Sequence, residues 1–115
     1  MKKIGTTILL FLLCLNVFSQ EYKDEISIVC FTASFVKSSE LKDWKKLFDA
    51  NKHIIDIEKN INIMVEEDIE VVPTIKLFNN GAEVKVWKAN IMLELEVTCK
   101  EIQEEIDELV ASKYN

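Results

Sequence analysis

The chain has 115 residues, with 14 basic residues against 20 acidic ones, a single histidine and a formal net charge of −6. A chain of that length holds one small domain, and an acidic surface with no arginine repels nucleic acid and anionic lipid, so neither is an expected partner. Only two glycines are present, too few for a phosphate-cradling loop, and no metal-ligand spacing occurs, so no cofactor and no metal is expected.

Met1-Lys2-Lys3 is a short basic start, and the apolar run 8–15 follows it. Val17-Phe18-Ser19 then places small or apolar residues where a signal peptidase reads. Residues 1–19 are therefore expected to be a secretory signal peptide, cut near Ser19. The apolar run is short of the roughly 20 residues of a membrane span. Leu13, ahead of Cys14, is not the small residue that precedes a lipidated cysteine. The expected location is periplasmic or secreted. Without Lys2 and Lys3, 12 lysines face 20 acids, a charge of −8.

Residues 20–25 are polar and expected to form a loose arm ahead of a domain over 26–112. Residues 26–31, Ile-Ser-Ile-Val-Cys-Phe, suit a strand buried on both faces. The spacing of Leu41, Trp44, Leu47 and Phe48 predicts a helix over 40–50, capped by Ser38 or Ser39 with Glu40 in its first turn. A short strand is expected over 53–57 and a short helix over 61–68. Thr74 to Phe78 alternates as a strand, with Ile75 and Leu77 on one face and Thr74, Lys76 and Phe78 on the other. Asn79-Asn80-Gly81 supplies hairpin-turn residues, and residues 83–88 form the partner strand. Leu93, Leu95 and Val97 alternate with Glu94 and Glu96, which reads as an extension of that strand or an added edge strand. Thr98 and Glu101 have capping-box spacing, ahead of a helix over 99–111 with Ile102, Ile106, Leu109 and Val110 on its apolar side. Pro73, the only proline, opens the hairpin, where a strand tolerates a missing donor and where a cis bond is cheap.

The run 71–81, Val-Val-Pro-Thr-Ile-Lys-Leu-Phe-Asn-Asn-Gly, resembles the thioredoxin pattern of a cis-proline, an apolar strand and an Asn-Gly turn. The resemblance extends over residues 26–112. It implies an α/β fold, β-α-β-α-β-β-α, a minimal thioredoxin-like architecture with a central mixed sheet and helices on both faces. The family works through Cys-x-x-Cys at a strand-to-helix turn, where the helix N-terminus favours thiolate. That place holds Val36-Lys37-Ser38-Ser39 here, so both sulfurs are missing. The family's buried aspartate falls at Cys30 and its lysine neighbour at Ile54, so the proton-handling groups are apolar as well. The resemblance thus implies a redox-inactive member with no catalytic residue. Its remaining asset is a groove for an extended protein or peptide segment, formed by Phe35, Val36 and Lys37 facing Val71, Val72, Pro73, Ala89 and Asn90. The alternative is a thiol–disulfide oxidoreductase using Cys30 with Cys99, or either with a partner's cysteine, which an accessible Cys30 would favour; a third reading is a structural module that caps an assembly.

By the resemblance, Cys30 and the start of the last helix share one end and one face of the sheet. A Cys30–Cys99 disulfide, worth about 3–5 kcal/mol, and two separate thiols both remain open. His53 is expected at the solvated start of a strand. Glu66-Glu67-Asp68 and Glu104-Glu105 are read as solvated helix faces, Trp44 as core, and Trp87 as core or rim.

Overall fold

The computed structural model describes residues 21–36 and 43–113. The expected leader over 1–19, residue Gln20, and Lys37, Ser38, Ser39, Glu40 and Leu41 lie outside the described residues. Four strands form one mixed sheet: β1 (Ile26–Thr32), β2 (Asn51–Asp56), β3 (Thr74–Asn79) and β4 (Ala82–Lys88), in the order β2-β1-β3-β4. β1 runs parallel to β2 and antiparallel to β3, and β3 runs antiparallel to β4. Among the described residues two α-helices accompany it, α1 (Ile61–Glu66) and α2 (Cys99–Lys113). The expected mixed α/β architecture is present.

β1 is apolar along nearly its whole length because both of its faces are covered. Ile26, Ile28 and Cys30 on one face join Ile75 and Leu77 of β3, and Ile102 and Ile106 of α2 seal them. Val29 and Phe31 on the other face join Phe78, Ile69 and Val72, with Ile63 and Met64 of α1 against them. The Thr98 hydroxyl accepts the Glu101 N–H at 3.2 Å, which satisfies a donor at the start of α2. Trp87, half-buried, packs against the core cluster on the α2 side. Among the described residues no helix is long and apolar enough to cross a membrane.

Several expectations need correction. Where a helix over 40–50 is predicted, the described part, 43–50, holds only a 3-10 turn, Trp44–Lys46. Asp43 and Asp49 flank it with φ of 70° and 63°, a left-handed geometry that aspartate tolerates better than most side chains. Trp44 and Leu47 are still buried, because a spacing of three serves a 3-10 turn as well as an α-helix. Phe48, predicted on the same stripe, is exposed. Residues 93–97 form no strand: the Asn90 side-chain oxygen accepts the N–H groups of Met92 (2.9 Å) and Glu94 (3.1 Å) and turns the chain instead. Val97 nevertheless reaches the α2-side core.

The supposed loose arm is docked. Tyr22 is buried and meets Phe31 and Phe78 edge-on, with ring centroids 6.4 and 6.2 Å apart. The Asn80 and Gly81 N–H groups at the hairpin tip donate to the Glu25 and Lys23 carbonyls at 2.8 and 3.0 Å. His53 does not start its strand but is the third residue of β2, half-buried and paired with Val29.

Candidate functional site

One end of the sheet gathers the residues singled out for the groove. Thr32 at the end of β1 pairs with Asp56 at the end of β2, while Thr74 at the start of β3 pairs with Phe31 and with Lys88 at the end of β4. The segments that leave or enter there are 33–36, 57–60, 71–73 and 89–93. A tight turn closes after β1, with the Val36 N–H donating to the Ala33 carbonyl at 3.0 Å. It leaves Phe35 66% exposed. The Glu58 carboxylate braces this turn by accepting from the Ser34 N–H and hydroxyl at 3.1 and 3.0 Å.

Opposite stands the proline segment. The Val72–Pro73 peptide bond is cis. The Thr74 hydroxyl donates to the Val71 carbonyl at 2.7 Å, and the Ala89 N–H to the Pro73 carbonyl at 3.0 Å. The proline segment and the exit of β4 are thereby joined. Between these two anchored carbonyls, neither the N–H nor the C=O of Val72 pairs with another backbone group among the described residues. Val72 and Pro73 are buried and Val71 half-buried. Ala89 is buried and Asn90 half-buried, and the loop that Asn90 holds presents Ile91 and Met92 at 99% and 71% exposure. The structure thus brings Phe35, Val36, Val71, Val72, Pro73, Ala89 and Asn90 to one end of the sheet. Lys37, Ser38 and Ser39 lie outside the described residues.

Cys30 pairs with Ile54 and Ile75 in mid-sheet and is 1% exposed. Cys99 packs against the same core cluster from the start of α2, and no disulfide joins the two thiols. Burial, with the Asp43 carboxylate adding to it, pushes the Cys99 thiol above its ordinary pKa.

A second feature escaped the sequence reading. Lys76, on the central strand β3, is buried on the Tyr22 side of the sheet. Its Nζ donates to the Glu67 carbonyl at 2.6 Å and meets Glu83 Oε1 at 2.7 Å and Glu67 Oε2 at 3.5 Å. Glu67, read as part of a solvated face, is 6% exposed. It also pairs with Lys23 and accepts the Tyr22 hydroxyl at 3.2 Å. An open cleft of about 500 Å³ runs beside this network, lined by Lys23, Glu67, Thr74, Lys76, Glu83 and Lys88. The available signal was Lys76 itself: a cation inside an apolar strand needs a buried anion within reach. Lys85 pairs with Glu105 at 3.4 Å, so only Glu104 of that pair is a plain solvated acid.

A parallel β1–β2 pair, an antiparallel β3–β4 hairpin beside it and helices on both faces define an α/β fold whose proline loop and β1 exit share one end. That is the thioredoxin fold. No family model matches the chain, and no curated protein matches it. Solved structures do. Thioredoxin from Schistosoma mansoni is similar at 17% identity, over 82% of this chain and 85% of that one, with a TM-score of 0.59. Thioredoxin O2 from Arabidopsis thaliana, in its oxidized state, is similar at 18% identity, over 83% and 87%, with a TM-score of 0.56. A designed protein matches at 22% identity, over 77% and 84%, with a TM-score of 0.58.

Proposed function

We propose that this thioredoxin-fold protein is exported and works without redox chemistry, holding an extended segment of another envelope protein in the groove beside Pro73. The observation that carries this reading is the Val72 backbone, which lacks a backbone partner among the described residues and sits at the same end of the sheet as the exposed Phe35, Ile91 and Met92. An extended guest adds its own backbone hydrogen bonds at such a residue, and apolar side chains beside it supply the contact area. Val36 stands where the family places its nucleophile, and a valine has no group to attack a disulfide. The competing reading, an oxidoreductase working through Cys30 or Cys99, asks for a thiolate. Cys30 is buried and the Cys99 thiol is pushed upward, and both oppose that requirement. The leader over 1–19 supports export.

The test is fluorescence anisotropy with a labelled, reduced and carboxymethylated α-lactalbumin as an unfolded probe, run beside an insulin-reduction assay. Saturable binding is expected, weakened about tenfold by Phe35→Ser through lost apolar contact, with no reductase turnover. Thiol counting should find Cys30 and Cys99 slow to react until the protein is denatured. Absence of probe binding, or turnover lost in Cys30→Ser, overturns the proposal.

A further inference from the structure

The sheet ends on one side at β2, which among the described residues pairs only with β1. The ladder decides which of its backbone groups face outward. The Ile57 N–H donates to the Thr32 carbonyl at 2.9 Å, so the odd-numbered residues of this strand turn toward β1. In a parallel pair one residue turns both its N–H and its C=O the same way. Lys52, Ile54 and Asp56 therefore turn theirs outward. The Asp56 carbonyl is engaged by the Lys59 N–H at 3.2 Å and by Asn60 Nδ2 at 2.9 Å. The outward groups of Lys52 and Ile54 have no backbone partner among the described residues. The side chains of the same three residues lie beside Ile28, Cys30 and Thr32, on one side of the sheet. Ile54, in the middle, is 43% exposed.

We infer that β2 is a dimerisation edge, on which a second copy of this chain adds its own β2 antiparallel with Ile54 on the two-fold axis. Three features select this occupant and this register. Backbone parity comes first: with Ile54 opposite itself, outward-facing residues meet outward-facing residues, and the two Ile54 groups exchange a reciprocal pair of hydrogen bonds. Charge follows, because the same register sets Lys52 opposite Asp56 of the second copy on both sides of the axis, an arrangement that stabilises an antiparallel pair. The Asp56 carboxylate spends Oδ1 on the Glu58 N–H at 2.9 Å and keeps Oδ2 for the new lysine. Lys52 Nζ donates to the Lys45 carbonyl at 2.8 Å and, having three donors, reaches Asp56 without giving that up. Apolar contact is the third feature, since the two exposed Ile54 side chains meet at the axis. Sliding the register by two residues keeps the backbone pairing but puts Lys52 opposite Ile54, or Ile54 opposite Asp56, and loses the charge match. The opposite edge, β4, is spoiled for such pairing by a register break at Leu77/Phe78 and by Lys85 and Lys88 along it.

Sedimentation equilibrium across a concentration series tests the proposal, on the protein recovered after export from its expression host. A monomer–dimer equilibrium is expected, with amide exchange at Lys52 and Ile54 slowing as concentration rises. Lys52→Glu places acid opposite Asp56 and should weaken the dimer about tenfold, and adding Asp56→Asn, which keeps the acceptor for Glu58, should recover part of that loss. Ile54→Lys should give a monomer with unchanged circular dichroism. A protein monomeric throughout, a dimer indifferent to Ile54→Lys, or an Ile54 amide protected at every concentration in a monomer would each overturn the assignment.

Discussion

Glu67 is the residue whose role the chain's composition conceals best. It sits last in reach of α1, its N–H donating to the Ile63 carbonyl at 2.9 Å, and its carboxylate turns inward between Lys23 and Lys76. Glu66 and Asp68 on either side are exposed. Three consecutive acids look alike in a sequence; the phase at which the helix ends picks the one that points in. Because a buried ion pair is costly to break from one side, Glu67→Ala should lower the unfolding free energy by about 3–5 kcal/mol. Replacing Glu67 and Lys76 together by methionine should cost clearly less than the two single costs added, since neither then faces the other's empty place and only Lys23 and Glu83 lose a partner. Urea melts arranged as a double-mutant cycle read this as a coupling energy; additive single costs would mean the two groups stabilise the fold independently.

At the scale of elements, the hairpin was legible and the segment after β1 was not. Asn80 and Gly81 have φ of 52° and 89°, both positive, as the two-residue loop joining β3 to β4 requires. Asparagine and glycine are the residues for which that geometry is cheap, so the turn is written locally. A Cβ at Gly81 would meet nothing within 4 Å, so Gly81→Ala isolates the backbone term. It should cost about 1–2 kcal/mol, read as a shift in the denaturation midpoint at unchanged slope. The tip also anchors residues 23 and 25 through its amides, which a strained turn would loosen. The stretch 43–50 obeyed a different logic: Trp44 and Leu47 had to reach the core, and a single 3-10 turn achieved that as well as the predicted helix. Apolar periodicity reports which side chains go inside; it does not distinguish between two helical geometries that share a spacing of three.

For the whole molecule, the N-terminal segment closes the face that α1 leaves incomplete. Tyr22 lies in that face, and burial together with the neighbouring Glu67 carboxylate raises its phenol well above the ordinary range. The sign follows from linkage. The unfolded chain gives up this proton near the ordinary pKa of about 10, while the folded chain holds it longer. Tyr22 therefore contributes stability in full below that pH, and the contribution is lost as pH rises toward the folded value. Denaturant midpoints should fall above about pH 10, with Tyr22 ionising only as the circular dichroism signal is lost. Tyr22→Phe should flatten that alkaline decline, and an unchanged decline would place its cause elsewhere.

The order of the four strands and of the two helices α1 and α2, the hairpin, the two-sided burial of β1 and the absence of a Cys-x-x-Cys pair were determined by the sequence alone. Each rests on short-range alternation or on the identity of single residues such as Val36, Pro73 and Gly81. Only the tertiary structure decided what lay many residues apart: that residues 21–25 dock instead of hanging loose, that Glu67 answers Lys76, and that the Asn90 side chain turns 91–94 away from a strand. These depend on which surfaces meet once the sheet has formed, and a buried charge, an aromatic edge contact or a capped turn leaves no periodic trace in the chain that predicts it.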